Sequence, residues 1–146
     1  MSSLNHTIHL PDVRFQFKGE ANMREKDEIR NYLTEVQKKR GYTLEMHKVM
    51  ANADIKWAKD YDQFIEACYT NPRSIDRKTK ELLQIVVETA LRAEVPQIQA
   101  HIRVALNEGA SPQEILEALQ TVTPPMGVLA FRHGLEAWVA ETGFKY

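Results

Sequence analysis

His101 is a residue type that can move a proton at neutral pH, since an unperturbed imidazole titrates near pH 6.5. It lies on the flank of a helix whose apolar centre is Ile98, Ile102 and Leu106, with Gln97 four residues before it and Ala105 four after. A histidine there can be an acid/base at a pocket wall or a core histidine satisfied by hydrogen bonds. Glu94 precedes Pro96 at the start of the same helix. It can be a partner of the helix dipole, or it can fold back and orient the imidazole as a second acid/base. Gln97 can bind a ligand or cap the helix, and Ile98 would wall an apolar pocket. Arg132, in the last helix beside His133 and Gly134, can clamp a carboxylate by paired hydrogen bonds or stay on the surface. His47 is a further helical histidine that can line a pocket.

Other chemistry-bearing residues read as structural. Glu81 and Glu88 fall opposite an apolar stripe of Leu82, Leu83, Val86, Val87 and Ala90, as a solvated face with a Glu88–Arg92 pair. Cys68 is the single cysteine, so no internal disulfide or paired-thiol motif exists. It shares a stripe with Trp57, Tyr61, Phe64 and Ile65, as a buried, inert thiol would. His6 and His9 have no third ligand at sensible spacing, so no metal is expected.

The elements that carry these residues are helical. Periodic apolar positions and stop signals give helices over about 27–40, ended by Gly41, then 44–50 and 54–69, the last closed by Thr70-Asn-Pro72. A fourth helix, about 77–93, is capped by Ser74 or Asp76. A fifth starts around Pro96 and ends at Gly109. Ser111-Pro-Gln-Glu114 is a capping box that opens a sixth helix, running to about Val122 before Pro124-Pro125. A seventh covers about 126–141, with Leu129, Leu135, Trp138 and Val139 inward. Gly134 inside it suggests a close approach by another helix. Residues 1–23 differ: Val13, Phe15 and Phe17 alternate as in a strand and end at Gly19, an extended arm without a partner strand. The expectation is one all-α domain of six or seven helices over 24–146, with an N-terminal arm over 1–23.

A chain of this length can bury a sizeable core. Its net charge of −1 gives no electrostatic case for nucleic acid or an anionic membrane. No apolar run approaches the roughly 18 residues of a membrane span, and the first residues lack the layout of a signal peptide, so the cytoplasm is the expected location.

Several segments together resemble the carboxymuconolactone decarboxylase family, which includes the alkyl hydroperoxide reductase D-like proteins. Lys78-Thr-Lys-Glu81-Leu-Leu is similar to a helix start of that family. Gln97-Ile-Gln-Ala-His101, continuing to Gly109, is similar to its decarboxylase branch. Glu114-Ile-Leu-Glu117, Pro125-Met-Gly127 and His47-Lys-Val-Met-Ala51-Asn52 follow in the family's order. In the peroxidase branch the segment before the histidine reads Cys-x-x-Cys; here those two positions hold Glu94 and Gln97. The turn Thr123-Pro-Pro-Met126 also departs from the decarboxylase form.

The resemblance implies a helical fold built on a two-helix hairpin, subunits assembled as trimers or hexamers, and pockets near subunit contacts. It implies a cofactor-independent decarboxylase or lyase of aromatic catabolism. Such an enzyme acts on a small carboxylated lactone or keto-acid-like compound, with His101 as proton donor. One alternative is a ligand-binding or assembly protein of the same fold. Another is a peroxidase working through Cys68 alone.

Overall fold

The computed structural model describes residues 22–145. The strand-like arm around Val13, Phe15 and Phe17 lies outside the described residues. Within them the protein is all-α: seven helices of nine residues or more and a single helical turn. α1 spans Met23–Arg40, α2 Glu45–Ala53, α3 Ile55–Ile65, α4 Arg77–Leu91, α5 Val95–Asn107, α6 Pro112–Gln120, the turn α7 Thr123–Met126, and α8 Val128–Thr142.

Local chemistry sets most of the boundaries. Asn22 caps α1 by accepting from the Glu25 N–H, which starts that helix four residues before its apolar pattern becomes visible. Gly41 ends it at φ +86°, a conformation that suits glycine. Asp76, rather than Ser74, caps α4 by accepting from the Thr79 N–H at 2.8 Å. The capping box at α6 is complete: Glu114 N–H reaches Ser111 Oγ at 3.1 Å, and Ser111 N–H reaches the Glu114 carboxylate at 2.8 Å. Those bonds, with Lys78, hold the Glu114 carboxyl down at about 2.

The main core joins α4, α5, α6 and α8 through Ile85, Ile98, Ile102, Ile115, Leu119 and Ala137. Gly134 of α8 sits tight against α6 and α4. A Cβ there would stand 2.5 Å from Leu119 Cδ2 and 2.6 Å from Thr89 Oγ1, so glycine is what permits the contact. A second cluster, Ile29, Tyr32, Val36, Ala51 and Ala58, packs α1 to α2 and α3. There Arg40 and Asp62 form a buried ion pair, and Tyr32 donates to the Ala58 carbonyl at 3.1 Å.

Several burial expectations are overturned. The covered face of α4 is Glu81, Ile85 and Thr89; Leu83 and Val87 are 51% and 50% exposed. Two adjacent apolar columns run along α4, and among the described residues the cover lies on the flank that Leu82 shares with Ile85. Cys68 is exposed rather than buried. The third helix does not run evenly to Tyr69: it relaxes into a π turn over Glu66–Thr70, closed by Asn71 N–H to the Glu66 carbonyl. That wider turn shifts the phase, so Tyr69 faces inward in place of Cys68. Upstream, Ala58 and the Arg40-paired Asp62 set the buried face of α3, leaving Trp57 and Phe64 outside. On α8, Leu129 is exposed, because the close-packed column is Ala130, Gly134, Ala137 and Trp138.

Candidate active site

α4 and α5 form the hairpin that carries the site. Glu81 and Glu88 are seven residues apart, two turns of α4, so both face α5 where His101 stands. His101 Nδ1 lies 2.7 Å from Glu81 Oε2, and Nε2 lies 3.3 Å from Glu88 Oε1. The imidazole is 5% exposed and Glu81 is wholly buried. Arg77, one turn before Glu81, holds the other Glu81 oxygen through its Nε. The Arg77 guanidinium also covers the Tyr69 ring at 4.5 Å and donates to the Arg40 carbonyl at 3.0 Å. Positive and negative groups thus alternate along Arg77, Glu81, His101 and Glu88, which lets four ionisable groups sit together largely out of water.

Two tyrosines complete the surround. Tyr69, aimed inward by the π turn, places its hydroxyl 3.2 Å from His101 Nδ1. Tyr42, in the link between α1 and α2, places its hydroxyl 3.5 Å from Nε2 and meets the imidazole edge-on at 5.2 Å. Burial pushes the Tyr42 phenol up to about 12. Burial, followed by the charge of Glu81, raises Tyr69 further still. Both are neutral hydroxyls at neutral pH. For His101, burial acts against the imidazolium. The hydrogen bonds to Glu81 and Glu88 more than offset it, and the pKa is raised to about 9. The arrangement favours the imidazolium at pH 7, with Nδ1 facing Glu81 and Nε2 facing Glu88.

A cavity of about 180 Å³ borders His101. Its wall includes His101, Glu88, Tyr42, Arg40, His47 and Gln97. Ile65 and Cys68 also border it. An apolar cavity of about 150 Å³ takes a benzene ring, so this one suits a single small ring or a short-chain acid. Its cationic groups are His101 and Arg40.

Of the residues singled out in the sequence, His101, Gln97 and His47 meet at this cavity. Ile98 is fully buried behind it in the α5 core. Glu94 is exposed at the start of α5, where its carbonyl accepts from the Gln97 N–H, and it has no bond to His101. The polar neighbours of His101 are instead Glu81 and Glu88. Neither glutamate is on a solvated face, and Glu88 turns to His101 rather than to Arg92, which is exposed. Arg132 is exposed on α8 and does not border the cavity. Its neighbour His133 bonds the Ala93 carbonyl at 2.6 Å.

The sequence reading missed Glu81, Glu88, Tyr42, Tyr69 and Arg77. One signal was present: Glu81, Ile85 and Thr89 repeat every four residues along one helix line, with Arg77 one turn earlier.

Among the described residues no helix is long and apolar enough to cross a membrane. No curated protein and no solved structure matches the chain. The carboxymuconolactone decarboxylase family model matches residues 56–140, which span the helix carrying Tyr69 and the whole α4–α5 hairpin with Glu81, Glu88 and His101. The chain belongs to the carboxymuconolactone decarboxylase family.

Proposed function

We propose that the protein is a cofactor-independent carboxy-lyase that decarboxylates a small carboxylated lactone or keto-acid-like compound. The observation that carries this reading is a buried imidazole, His101, held between two carboxylates at the wall of a small cavity. A conjugated carbonyl in the substrate supplies the electron sink. The carbon–carboxylate bond breaks, CO₂ leaves, and the bonding pair moves into the carbonyl as an enolate. His101 Nε2 then delivers its proton to the carbon that lost CO₂. Glu81 stays on Nδ1 and orients the ring. Glu88, facing Nε2 at the cavity wall, is placed to pass a proton taken up from solvent water to the imidazole and so return it to its charged form. Arg40 is the cation beside which the substrate carboxylate rests before it leaves. Glu94 and Arg132, both candidates from the sequence, would enter this scheme only through a rearrangement of the chain or through a second subunit.

Self-association is part of the reading. Leu83, Val87 and Leu91 form an exposed apolar column along α4, the back of the helix that carries Glu81 and Glu88. A second copy covering that column gives a trimer or a hexamer. Changing Leu83 and Val87 to Asp together should produce monomers in light scattering.

A ligand-binding protein of the same fold is the competing reading. The two are separated by mixing the protein with 4-carboxymuconolactone and with short β-keto acids, while following CO₂ release and melting temperature. Many equivalents of CO₂ per subunit support the lyase. Raised melting without CO₂ from any of these acids supports the binding protein and overturns the proposal. Cys68 borders the cavity, which keeps single-cysteine peroxide chemistry as a third reading. Loss of all activity in Cys68→Ser, with peroxide consumption in the wild type, would select it.

A further inference from the structure

His47 stands at the first turn of α2. Its Nδ1 accepts the backbone N–H of Leu44 at 2.9 Å. An imidazole nitrogen that accepts carries no proton, so Nδ1 is bare. Burial, with the nearby Arg40 charge, lowers the pKa of this ring, which keeps it neutral at pH 7. The single proton of a neutral ring with a bare Nδ1 is on Nε2. That Nε2–H is a buried donor, on a residue 1% exposed, with no acceptor among the described residues. Buried donors are nearly always satisfied. His47 borders the cavity that His101 borders. Both rings also pack against Tyr42, with ring centres 6.3 and 5.2 Å from it.

We infer that His47 Nε2–H is the hydrogen-bond donor for a carbonyl oxygen of the bound molecule, so that the cavity selects small acids that also carry a ketone or lactone carbonyl. The group does not transfer a proton. On the lyase reading, on which this step rests, the carbonyl it holds is the one that takes the electron pair as CO₂ leaves. A fixed neutral donor at that oxygen favours the enolate over the ground-state carbonyl. His47 and His101 then divide the work: one holds the oxygen where charge develops, and the other protonates carbon.

The two nitrogens of His47 can be separated by substitution. The His47→Asn variant keeps an acceptor near the Nδ1 position for Leu44 and loses the donor at Nε2. The His47→Gln variant keeps a donor near the Nε2 position and loses the Leu44 bond. The probes are 4-oxopentanoate and pentanoate, alike except for the ketone, with binding measured by calorimetry on the full chain. Wild type should prefer 4-oxopentanoate by roughly tenfold. His47→Asn should erase the preference while melting near the wild-type temperature. His47→Gln should melt lower and retain part of the preference. Nitrogen NMR should find the His47 proton on Nε2.

No preference in the wild type, an undiminished preference in His47→Asn, or a proton on Nδ1 would each overturn the inference. These outcomes are distinct from failure of the lyase reading. CO₂ release without any dependence on His47 removes this inference alone. A His47-dependent carbonyl preference without CO₂ release removes the lyase and leaves the carbonyl site.

Discussion

Replacing Glu81 with Gln tests the electrostatics of the site at its source. Glu81 is wholly buried and accepts from His101 Nδ1 at 2.7 Å. The His101 pKa is raised from 6.5 to about 9: burial opposes the charged form, and the hydrogen bond to Glu81 does most to favour it. A rise of that size corresponds to about 3 kcal/mol of preference for the charged form in the folded state. Because the folded pKa lies above the unfolded one, this contribution is fully present below about pH 6.5 and is lost as pH rises through about 9. Unfolding free energy in the wild type should therefore fall across that window by about 3 kcal/mol from this group.

In Glu81→Gln the neutral amide cannot hold the imidazolium, and burial is left to push the other way. The His101 pKa should drop below the wild-type value by at least about one unit, and the pH slope of stability should flatten. Subtracting the variant's stability curve from that of the wild type removes the other titrating groups. The assay is a His101 titration by NMR beside urea unfolding at pH 6, 7.5 and 9. A wild-type His101 that titrates near 6.5, or an unchanged pKa in Glu81→Gln, would refute the reasoning.

Three further outcomes follow from the geometry. Gly134→Ala should destabilise by about 1–3 kcal/mol in thermal or urea unfolding, because the new methyl meets Leu119 and Thr89 at under 3 Å. Arg40→Met should lower stability by about 3–5 kcal/mol by leaving Asp62 charged and buried. The double change with Asp62→Leu should recover much of that loss, which a double-mutant cycle would read. Cys68, being exposed, should react with a thiol reagent in the native state, and Cys68→Ser should leave CO₂ release within about twofold of wild type.

The parts of the fold that were legible in the sequence are those set by neighbours along the chain. The Ser111–Glu114 capping box, the Gly41 stop and the proline start of α5 are local hydrogen-bonding and backbone preferences, and the structure carries all three. The need for Gly134 could also be read, since a glycine inside a helix is unfavourable unless something packs on it. What failed was the assignment of faces. α4 is apolar over more than one column, and periodicity cannot say which column its own chain will cover. Glu81 could be buried only because Arg77 and His101 meet it, and His101 is 20 residues away. Tyr69 and Cys68 exchanged places because one π turn shifted the phase of a helix that sequence periodicity treats as regular. His101 itself stood out as an imidazole on the border of an apolar face; its glutamate partners did not, since a carboxylate opposite an apolar stripe is ordinarily solvated.

The most direct test of the central claim, that His101 is the proton donor, is His101→Gln measured for CO₂ release and melting temperature on the same preparation. As the general acid, His101 should be worth roughly 10²–10⁴ in rate, read well below the variant's melting temperature, which should itself fall because Glu81 and Glu88 lose their buried cation. A folded variant that turns over at close to the wild-type rate would make His101 a structural residue and contradict the account.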